Sequence, residues 1–453
     1  MKYIVLCAAI LSQPLLAQPL HAQAPWTLRQ CCDYAVEHNI IVKQYENARQ
    51  QQEIRLSTAR NQRLPNLSAS ASQNFSFGRG LTAENTYTNT NTSSTSFSLG
   101  TNVPLFTGFQ IPNTIKVNRL NLEAATQELE KAKNDIRMQV AQAYVQILYS
   151  MEISDVAHRQ VSIDSAQVAR LQALLNAGKA SEAQVAQQKA TMAQSQLTAT
   201  QADNNTQISL LTLSQLLELP SPEGFSVVRP DASALMAKNG TTGGAALTGV
   251  SGITPDMIYA EALAVKPEVQ AQQLRLQSAE GSIKIAQAGL YPTLSFSAGM
   301  GSNYYKTSGF EARSFGEQMK NNFSQYLGFS LNIPIFSRFA VRNSIRSARK
   351  DLENQQLSLD NTKKTLYKEI QQAYYNTVAA SQKLVSSEQA RQSSETAFTL
   401  TQAKYEQGKA TITEFNEAKN NYLRAESDLT QARYEYLYQQ ALIQFYRGKE
   451  LQF

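Results

Sequence analysis

Four short stretches of the chain alternate between apolar and polar residues with a period of two, which is the period of a β-strand. These stretches are 67–77, 97–105, 294–300 and 327–335. One face of each run is mostly leucine, phenylalanine, alanine, methionine or isoleucine, and the other is mainly serine, glycine and asparagine. Each run has on the order of ten residues, the length that a tilted strand needs to cross an outer membrane. The pattern predicts four membrane strands.

The polar faces of these strands are small and almost uncharged, which suits a water-filled lumen, while the apolar faces suit outer-membrane lipid. A soluble sheet that buries its apolar face is the alternative interpretation. The segments between the paired strands, 78–95 and 305–321, are polar and are predicted as loops. We expect these loops to face the cell exterior, because the long helices described next must occupy the other side.

Two much longer stretches, 113–177 and 339–407, contain neither proline nor glycine and are rich in Gln, Ala, Glu and Lys. Their apolar residues recur with the spacing of a coiled coil. At about 1.5 Å per residue each predicted helix is roughly 100 Å long. Such helices bury little surface within one chain, so we expect them to need partners from the same chain and from others. A further helix is predicted over 26–64, where Pro65 stops it.

Each long helix ends at a glycine, Gly178 or Gly408, and the chain turns back. Ser181 with Gln184 three residues later, and Thr411 with Glu414, have the spacing of capping boxes that begin the returning helices. The returning helices are predicted to end near 219 and 447. Each half of the chain therefore contains a long helical hairpin with a glycine at its tip.

The strands, exits and hairpins occur twice along the chain at a nearly constant offset. Pro65 is matched by Pro292, an offset of 292 − 65 = 227 residues, and Gly178 is matched by Gly408, an offset of 408 − 178 = 230 residues. Unrelated landmarks at nearly the same spacing indicate a duplication. The duplication predicts one structural unit built from two repeats.

The boundaries of the repeats follow from composition. Residues 1–22 have a lysine followed by an apolar run and small residues, the pattern of a secretory signal peptide, with cleavage after Ala17 or Ala22 as alternatives. Residues 23–220 form the first repeat and residues 255–453 the second. The segment 221–254 between them, rich in proline and glycine, is predicted to be a mostly irregular strap.

Composition excludes several classes of function. The chain has 453 residues, a net charge of +6 and no dense basic cluster, so nucleic acid is not an expected partner. A mean hydropathy of −0.36 excludes a bundle of membrane helices. Three histidines and three cysteines form no recognisable metal motif, and no catalytic triad or phosphate-binding loop is present. We therefore expect no enzymatic activity, no metal and no cofactor, and we interpret the adjacent Cys31 and Cys32 as small apolar residues on a helix face.

Taken together, these features resemble one family, the TolC-type outer-membrane efflux channels. The resemblance covers nearly the whole mature chain, and its motifs occur in the order of the family. They are Trp26-x-Leu28-x-x-Cys31 with Tyr34-Ala35 and Asn39, Leu64-Pro65-x-Leu67, Val103-Pro104-Leu105-Phe106-x-Gly108, and Tyr405-x-x-Gly408.

The resemblance implies a fold, a location and partners. The fold is a homotrimer in which three chains form a twelve-strand membrane β-barrel in the outer membrane and a periplasmic α-helical tunnel. The function is that of a passive exit duct in a tripartite efflux or secretion system, with a periplasmic adaptor and an inner-membrane pump as partners. The competing interpretation is a soluble periplasmic coiled-coil scaffold, for which the four strand runs have no purpose.

The resemblance also implies a gate just beyond the second hairpin tip. The family's gate tyrosine corresponds to Tyr405 and its two acidic residues to Glu414 and Glu417. The arginine of the family is replaced by Ala410, and Lys409 beside it is a candidate substitute. Each residue has a simpler interpretation: Glu414 as the capping-box glutamate, Glu417 as a solvated carboxylate and Tyr405 as a helix-packing residue.

The tips themselves are implied to be docking points for the adaptor. The residues concerned are Gly178 and Lys179 at the first tip, and Gly408 and Lys409 at the second. Both glycines are needed structurally in any interpretation, because they end the long helices. Adaptor docking is a second role that comes from the resemblance alone.

Overall fold

The structure, a computed structural model, describes residues 25–81, 85–230 and 252–451. The predicted signal peptide, 1–22, lies outside the described residues, as do residues 231–251 of the predicted strap. In chain order the helices are α1 (Leu28–His38), α2 (Ile40–Asn61), α3 (Gln110–Asn176), α4 (Glu182–Leu216), α5 (Pro255–Val265), α6 (Pro267–Ala288), α7 (Phe315–Asn321), α8 (Ala340–Glu406) and α9 (Ile412–Tyr446). The strands are β1 (Asn66–Leu81), β2 (Tyr87–Thr107), β3 (Thr293–Thr307) and β4 (Ser324–Asn332).

The four strands form one antiparallel sheet in the order β1-β2-β3-β4. The register runs from Asn66 opposite Asn102 at one end of the first pair to Leu81 opposite Tyr87 at the other. The predicted alternation of apolar and polar faces is confirmed where the strands pair most closely in character: Ala69 lies opposite Leu99, and Phe296 lies opposite Phe329. The apolar face is open: Leu67 is 73% exposed and Leu327 is 78% exposed.

On the polar face of the sheet, serine side chains of β1 and β2 form hydrogen bonds across the strands. The hydroxyls of Ser70 and Ser98 are 2.7 Å apart, and those of Ser72 and Ser96 are also 2.7 Å apart. Cross-strand pairs of this kind stabilise a sheet without an apolar core on that side.

The prediction of a loop over 78–95 is wrong. Strand β1 continues to Leu81 and β2 begins at Tyr87, so the connection is confined to a few residues around Asn85. The reason is that β-branched threonines, abundant in this segment, favour extended backbone even where neither face is apolar. A strand with two polar faces gives no alternation for sequence analysis to detect.

The second predicted loop, 305–321, and the fourth strand also need correction. Strand β3 continues to Thr307, and α7 follows, its first turn capped by the Ser314 side chain, which accepts a hydrogen bond from the Glu317 amide. Strand β4 ends at Asn332 rather than at 335. Pro334 lacks an N–H for the strand ladder, which accounts for the earlier end.

The prediction of a single helix over 26–64 is wrong as well, because the helix is interrupted at Asn39. Asn39 is extended, with φ −60° and ψ 133°, and its side chain accepts a hydrogen bond from the Ile41 amide at 2.9 Å. Its Nδ2 donates to the Leu216 carbonyl at 3.0 Å. Asparagine is among the strongest N-cap residues, so it begins a new helix and joins α2 to the end of α4.

The long helices are confirmed, with ends within a few residues of the prediction. Helices α3 and α8 each have 67 residues, and α4 and α9 each have 35. We call α3 with α4 hairpin 1, and α8 with α9 hairpin 2. Helix α6 lies between α3 and α8 and contacts both, and α2 packs beside α3.

The segments before α1 and after α4 pack together against α3 of hairpin 1. Trp26 forms a parallel bridge with Val227, and the Tyr144 hydroxyl of α3 donates to the Val228 carbonyl at 2.6 Å. The thiols of Cys31 and Cys32 are buried in this region and unpaired, which confirms their interpretation as apolar residues on a helix face. Burial raises the pKa of each thiol to about 12.

Within the described ranges, none of the helices combines the length and the apolar character needed to cross a membrane.

Candidate functional site at the hairpin tips

The two tips have the same backbone geometry, and in each of them a glycine reverses the chain. Gly178 and Gly408 both have φ +71°, a left-handed conformation that glycine adopts without strain. At the first tip the Gly178 amide donates to the Leu175 carbonyl at 2.9 Å, and the Lys179 amide donates to the Leu174 carbonyl at 2.8 Å. This pair of bonds is the Schellman motif. The second tip repeats it, which confirms the predicted glycine ends.

The returning helices begin with the predicted capping boxes. The Ser181 side chain caps α4 with Gln184 bonding back, and Thr411 caps α9 with Glu414 in the same role. The Glu414 carboxylate accepts from the Thr411 amide at 2.7 Å and from the Thr411 hydroxyl at 2.9 Å. These bonds, the backbone one first, lower the pKa of Glu414. The carboxylate therefore stays ionised and fixes the first turn of α9.

Tyr405 is half-buried at the tip of hairpin 2 and packs against other side chains there. Its ring stacks on Phe415 of α9 with 5.0 Å between centroids. The Arg170 guanidinium of α3 lies 5.0 Å from the Tyr405 centroid, and Arg170 Nη2 also donates to the Glu406 carbonyl at 3.3 Å. Burial raises the pKa of the Tyr405 hydroxyl, and the Arg170 charge opposes that rise. Tyr405 thus packs within its helix pair and also contacts hairpin 1.

Glu417 and Lys409 are both exposed. In the part of the chain that the structure describes, neither side chain has an ionic or hydrogen-bonding partner, and no hydrogen bond joins Tyr405 to Glu414 or Glu417. The cationic side chain that contacts the Tyr405 ring is Arg170 from the other hairpin. Sequence reasoning missed Arg170 because it is far from the second tip in the sequence.

A second group that the sequence analysis missed lies between the hairpins, deeper than the tips. Asp164 of α3 and Lys419 of α9 form an ion pair in which both side chains are 0% exposed. Ser195 Oγ donates to Asp164 Oδ2 at 2.6 Å, and Gln188 Nε2 donates to Asp164 Oδ1 at 3.2 Å. Both oxygens of the carboxylate are therefore hydrogen-bonded to protein groups.

A sequence signal for this pair did exist. Asp164 stands one heptad from Ala157 and one heptad from Leu171, and all three are buried on α3. Lys419 stands four residues from Phe415 and four from Leu423, again on a buried stripe. Opposite charges at core positions of two helices predict a buried pair wherever those helices meet.

Across the described residues, no group of three or more histidine, cysteine, aspartate or glutamate side chains is placed to hold a metal ion. At the second tip Tyr405 packs against Phe415, and Glu414 caps α9. The exposed carboxylates of Glu414 and Glu417 are suited to attract cations.

Two characterised proteins are similar to this chain in sequence. The outer membrane efflux protein BepC of Brucella suis biovar 1 (strain 1330) is 21% identical over 311 residues, covering 68% of this chain and 61% of BepC. The outer membrane protein TolC of Escherichia coli (strain K12) is 26% identical over 182 residues, covering 39% of this chain and 37% of TolC. The matched part of the chain spans less than two thirds of the length of either relative.

Solved structures of the same fold exist. The Campylobacter jejuni CmeC outer membrane channel superposes with a TM-score of 0.75 at 16% identity, covering 94% of this chain and 87% of CmeC. The similarity extends over both hairpins and the sheet. It shows that the fold is that of a TolC-like channel protomer.

The sequence model of one family matches the chain in two segments, residues 35–218 and 258–448. The description of that family is outer membrane efflux protein. The two segments together cover most of the chain, and each contains one strand pair and one hairpin. The chain is therefore an outer-membrane protein of the outer membrane efflux protein family.

Proposed function

We propose that this protein is the exit duct of a tripartite efflux or secretion system, a passive channel through the outer membrane. The observation that carries the proposal is the combination of a sheet whose apolar face is open with two 67-residue helices on the same chain. An open apolar sheet suits lipid, and helices of roughly 100 Å suit a tunnel through the periplasm. The alternative of a soluble coiled-coil scaffold leaves that apolar sheet without a partner, and the family membership gives it no support.

The duct is a homotrimer in this proposal. Among the described residues, the sheet of one chain has four strands, and the outer edges of β1 and β4 are unpaired within the sheet. Unpaired strand edges are not tolerated in lipid, so several chains must close one barrel. Three chains, as in the family, supply twelve strands.

The purified protein is expected to have the mass of three chains in mild detergent and to conduct ions in planar lipid bilayers. Native mass measurement and single-channel recording check the two parts separately. A stable monomer contradicts the trimer, and a trimer without conductance contradicts the duct.

The partners follow from the same proposal. We place the periplasmic adaptor at the hairpin tips, where Gly178, Lys179, Gly408 and Lys409 are all exposed. An inner-membrane pump then lies beyond the adaptor. Residues 1–22 act as the secretory signal in this account, 23–220 and 255–453 are the two repeats, and 221–254 is the strap that links them.

In this proposal the hairpin tips form the periplasmic mouth of the channel. Glu417 and Glu414 form an acidic constriction there, and Tyr405 packs behind them. Glu417 lies 417 − 408 = 9 residues past the tip glycine and is exposed. In a trimer three copies of each carboxylate surround the axis, where they repel one another and attract cations. A ring of this kind selects for cations and narrows the closed channel.

Replacing Glu417 by alanine, alone and with Glu414→Gln, is expected to raise single-channel conductance and to weaken block by a multivalent cation. Glutamine preserves the capping box, so the double variant keeps the first turn of α9. Glu414→Gln alone is the control for the cap. Unchanged conductance and block in the double variant would mean that these carboxylates only solvate or cap their helix.

A further inference from the structure

The Asp164–Lys419 pair is the buried member of a set of contacts between the two hairpins. Arg159 of α3 also pairs with Glu426 of α9 at 2.9 Å, but the Arg159 side chain is 57% exposed. Exposed ion pairs contribute little, because water screens them and two long side chains must be ordered. The Asp164–Lys419 pair is shielded from water and is therefore the stronger constraint on how the hairpins sit together.

The pair joins three helices rather than two. Asp164 belongs to α3, Lys419 to α9, and the Ser195 and Gln188 side chains that donate to Asp164 belong to α4. Asn416 of α9 extends the network, since its Nδ2 donates to Gln188 Oε1 at 3.4 Å. One carboxylate thus connects both helices of hairpin 1 to the returning helix of hairpin 2.

The location of Lys419 relates this network to the mouth. Lys419 lies 419 − 408 = 11 residues past the tip glycine and 419 − 412 = 7 residues past the first residue of α9, about 10 Å along that helix. Successive residues of a helix are rotated by about 100°, so Glu417 projects about 200° away from Lys419. Phe415, rotated by only about 40°, is buried on the same side as Lys419. With Lys419 fixed in the interface, Glu417 has to point away from it.

We propose that Lys419 and Asp164 are positioning residues that set the rotation of α9 about its own axis and so hold Glu417 at the constriction. Lys419 does not contact the transported molecule; it acts through the orientation of α9. The proposal rests on the proposed acidic constriction and adds the group that orients it. The exposed Lys409 is not needed for this role.

The test is the double variant Asp164→Leu with Lys419→Met, which removes both charges and keeps apolar volume in the interface. Replacing both partners leaves no uncompensated buried charge, and Ser195 Oγ still has the Thr191 carbonyl, 3.2 Å away, as an acceptor, so the trimer is expected to assemble. The matched control is Lys383→Met with Glu435→Leu. That pair, 2.8 Å apart and 42% exposed on each side, joins the two helices of hairpin 2.

The readouts are trimer mass, single-channel conductance and block by a multivalent cation such as hexamminecobalt(III). We expect the double variant to remain trimeric and to lose cation block to the extent that Glu417→Ala loses it, although Glu417 is still present. The Lys383/Glu435 control is expected to behave as the unmodified protein.

The outcomes separate the two proposals. A double variant that keeps full cation block, while Glu417→Ala loses it, overturns the positioning role and leaves the constriction standing. If Glu417→Ala itself keeps full block, the constriction is wrong and the positioning role falls with it. A double variant that fails to form trimers would be compared with Asp164→Asn, a near-isosteric change, and an Asp164→Asn trimer with full block also overturns the positioning role.

Discussion

Lys419→Met alone is expected to lower the free energy of unfolding by about 3–5 kcal/mol, because it leaves the Asp164 carboxylate buried without a counter-charge. Both side chains are 0% exposed, so water cannot replace the lost ammonium without opening the interface between the hairpins. Ser195 and Gln188 still donate to the carboxylate, but neutral donors do not compensate for a missing charge. The midpoint of guanidinium or thermal unfolding of the detergent-solubilised protein measures the effect.

Lys409→Met is the matched control, since it removes the same side chain from an exposed position at the tip. Its effect is expected to stay within about 0.5 kcal/mol, as for most surface substitutions. The double variant Asp164→Leu with Lys419→Met is expected to recover most of the loss seen in Lys419→Met. If Lys419→Met is no more damaging than Lys409→Met, the pair is not the buried charge contact described above.

Much of the fold could be predicted from the sequence because its signals are local. The glycines at 178 and 408 end their helices through backbone conformation, and the capping boxes at Ser181 and Thr411 act over three residues. The strands are recognisable where one face meets lipid and the other water, since that contrast creates the two-residue period. Long stretches without proline or glycine can be predicted as helices without knowledge of their tertiary contacts.

The errors occur where the local contrast disappears. Strand β2 begins at Tyr87 with threonine, asparagine and serine on both faces, so the period that identifies a strand is absent there although the backbone is extended. At the break Asn39 combines a local cap on the Ile41 amide with a bond to Leu216, a residue of a different helix. Hydropathy does not record contacts of this kind.

The residues of the candidate site also divide into those that local spacing predicts and those that depend on tertiary packing. Glu414 could be assigned to its capping box from spacing alone, and the structure contains that box. Arg170 against Tyr405, and Asp164 against Lys419, connect residues of different repeats and depend on how the two hairpins pack. The sequence shows a charged residue within an apolar stripe on each of the two helices. It does not show that these two helices pack against each other.

The duplication also provides a built-in comparison at the exits from the sheet. Gly108 precedes α3 with φ +61°, and Arg338, at an offset of 338 − 108 = 230 residues, precedes α8 with φ +48°. The residue after each, Phe109 or Phe339, is left-handed as well. The same turn therefore contains glycine in one repeat and arginine in the other.

The surroundings of the two positions differ. A Cβ atom on Gly108 would lie 2.5 Å from the Ala288 carbonyl oxygen and 2.9 Å from the Tyr291 Cβ, at the end of α6. Arg338 is exposed, so its side chain has room. Glycine is required in the first repeat by close packing and not by the turn alone.

Gly108→Ala is accordingly expected to destabilise the protein by about 2–5 kcal/mol, the sum of left-handed backbone strain and overpacking against a backbone oxygen that moves only if α6 shifts. Arg338→Gly, the reciprocal change, relieves backbone strain in the folded state but raises the conformational entropy of the unfolded chain. The net change in the free energy of unfolding is therefore expected to stay within about 1 kcal/mol. Unfolding midpoints of the two variants in detergent, compared with the unmodified protein, decide between packing and turn geometry. Effects of equal size and opposite sign at the two positions would show that the turn conformation alone is responsible and that the contact of Gly108 with α6 contributes nothing.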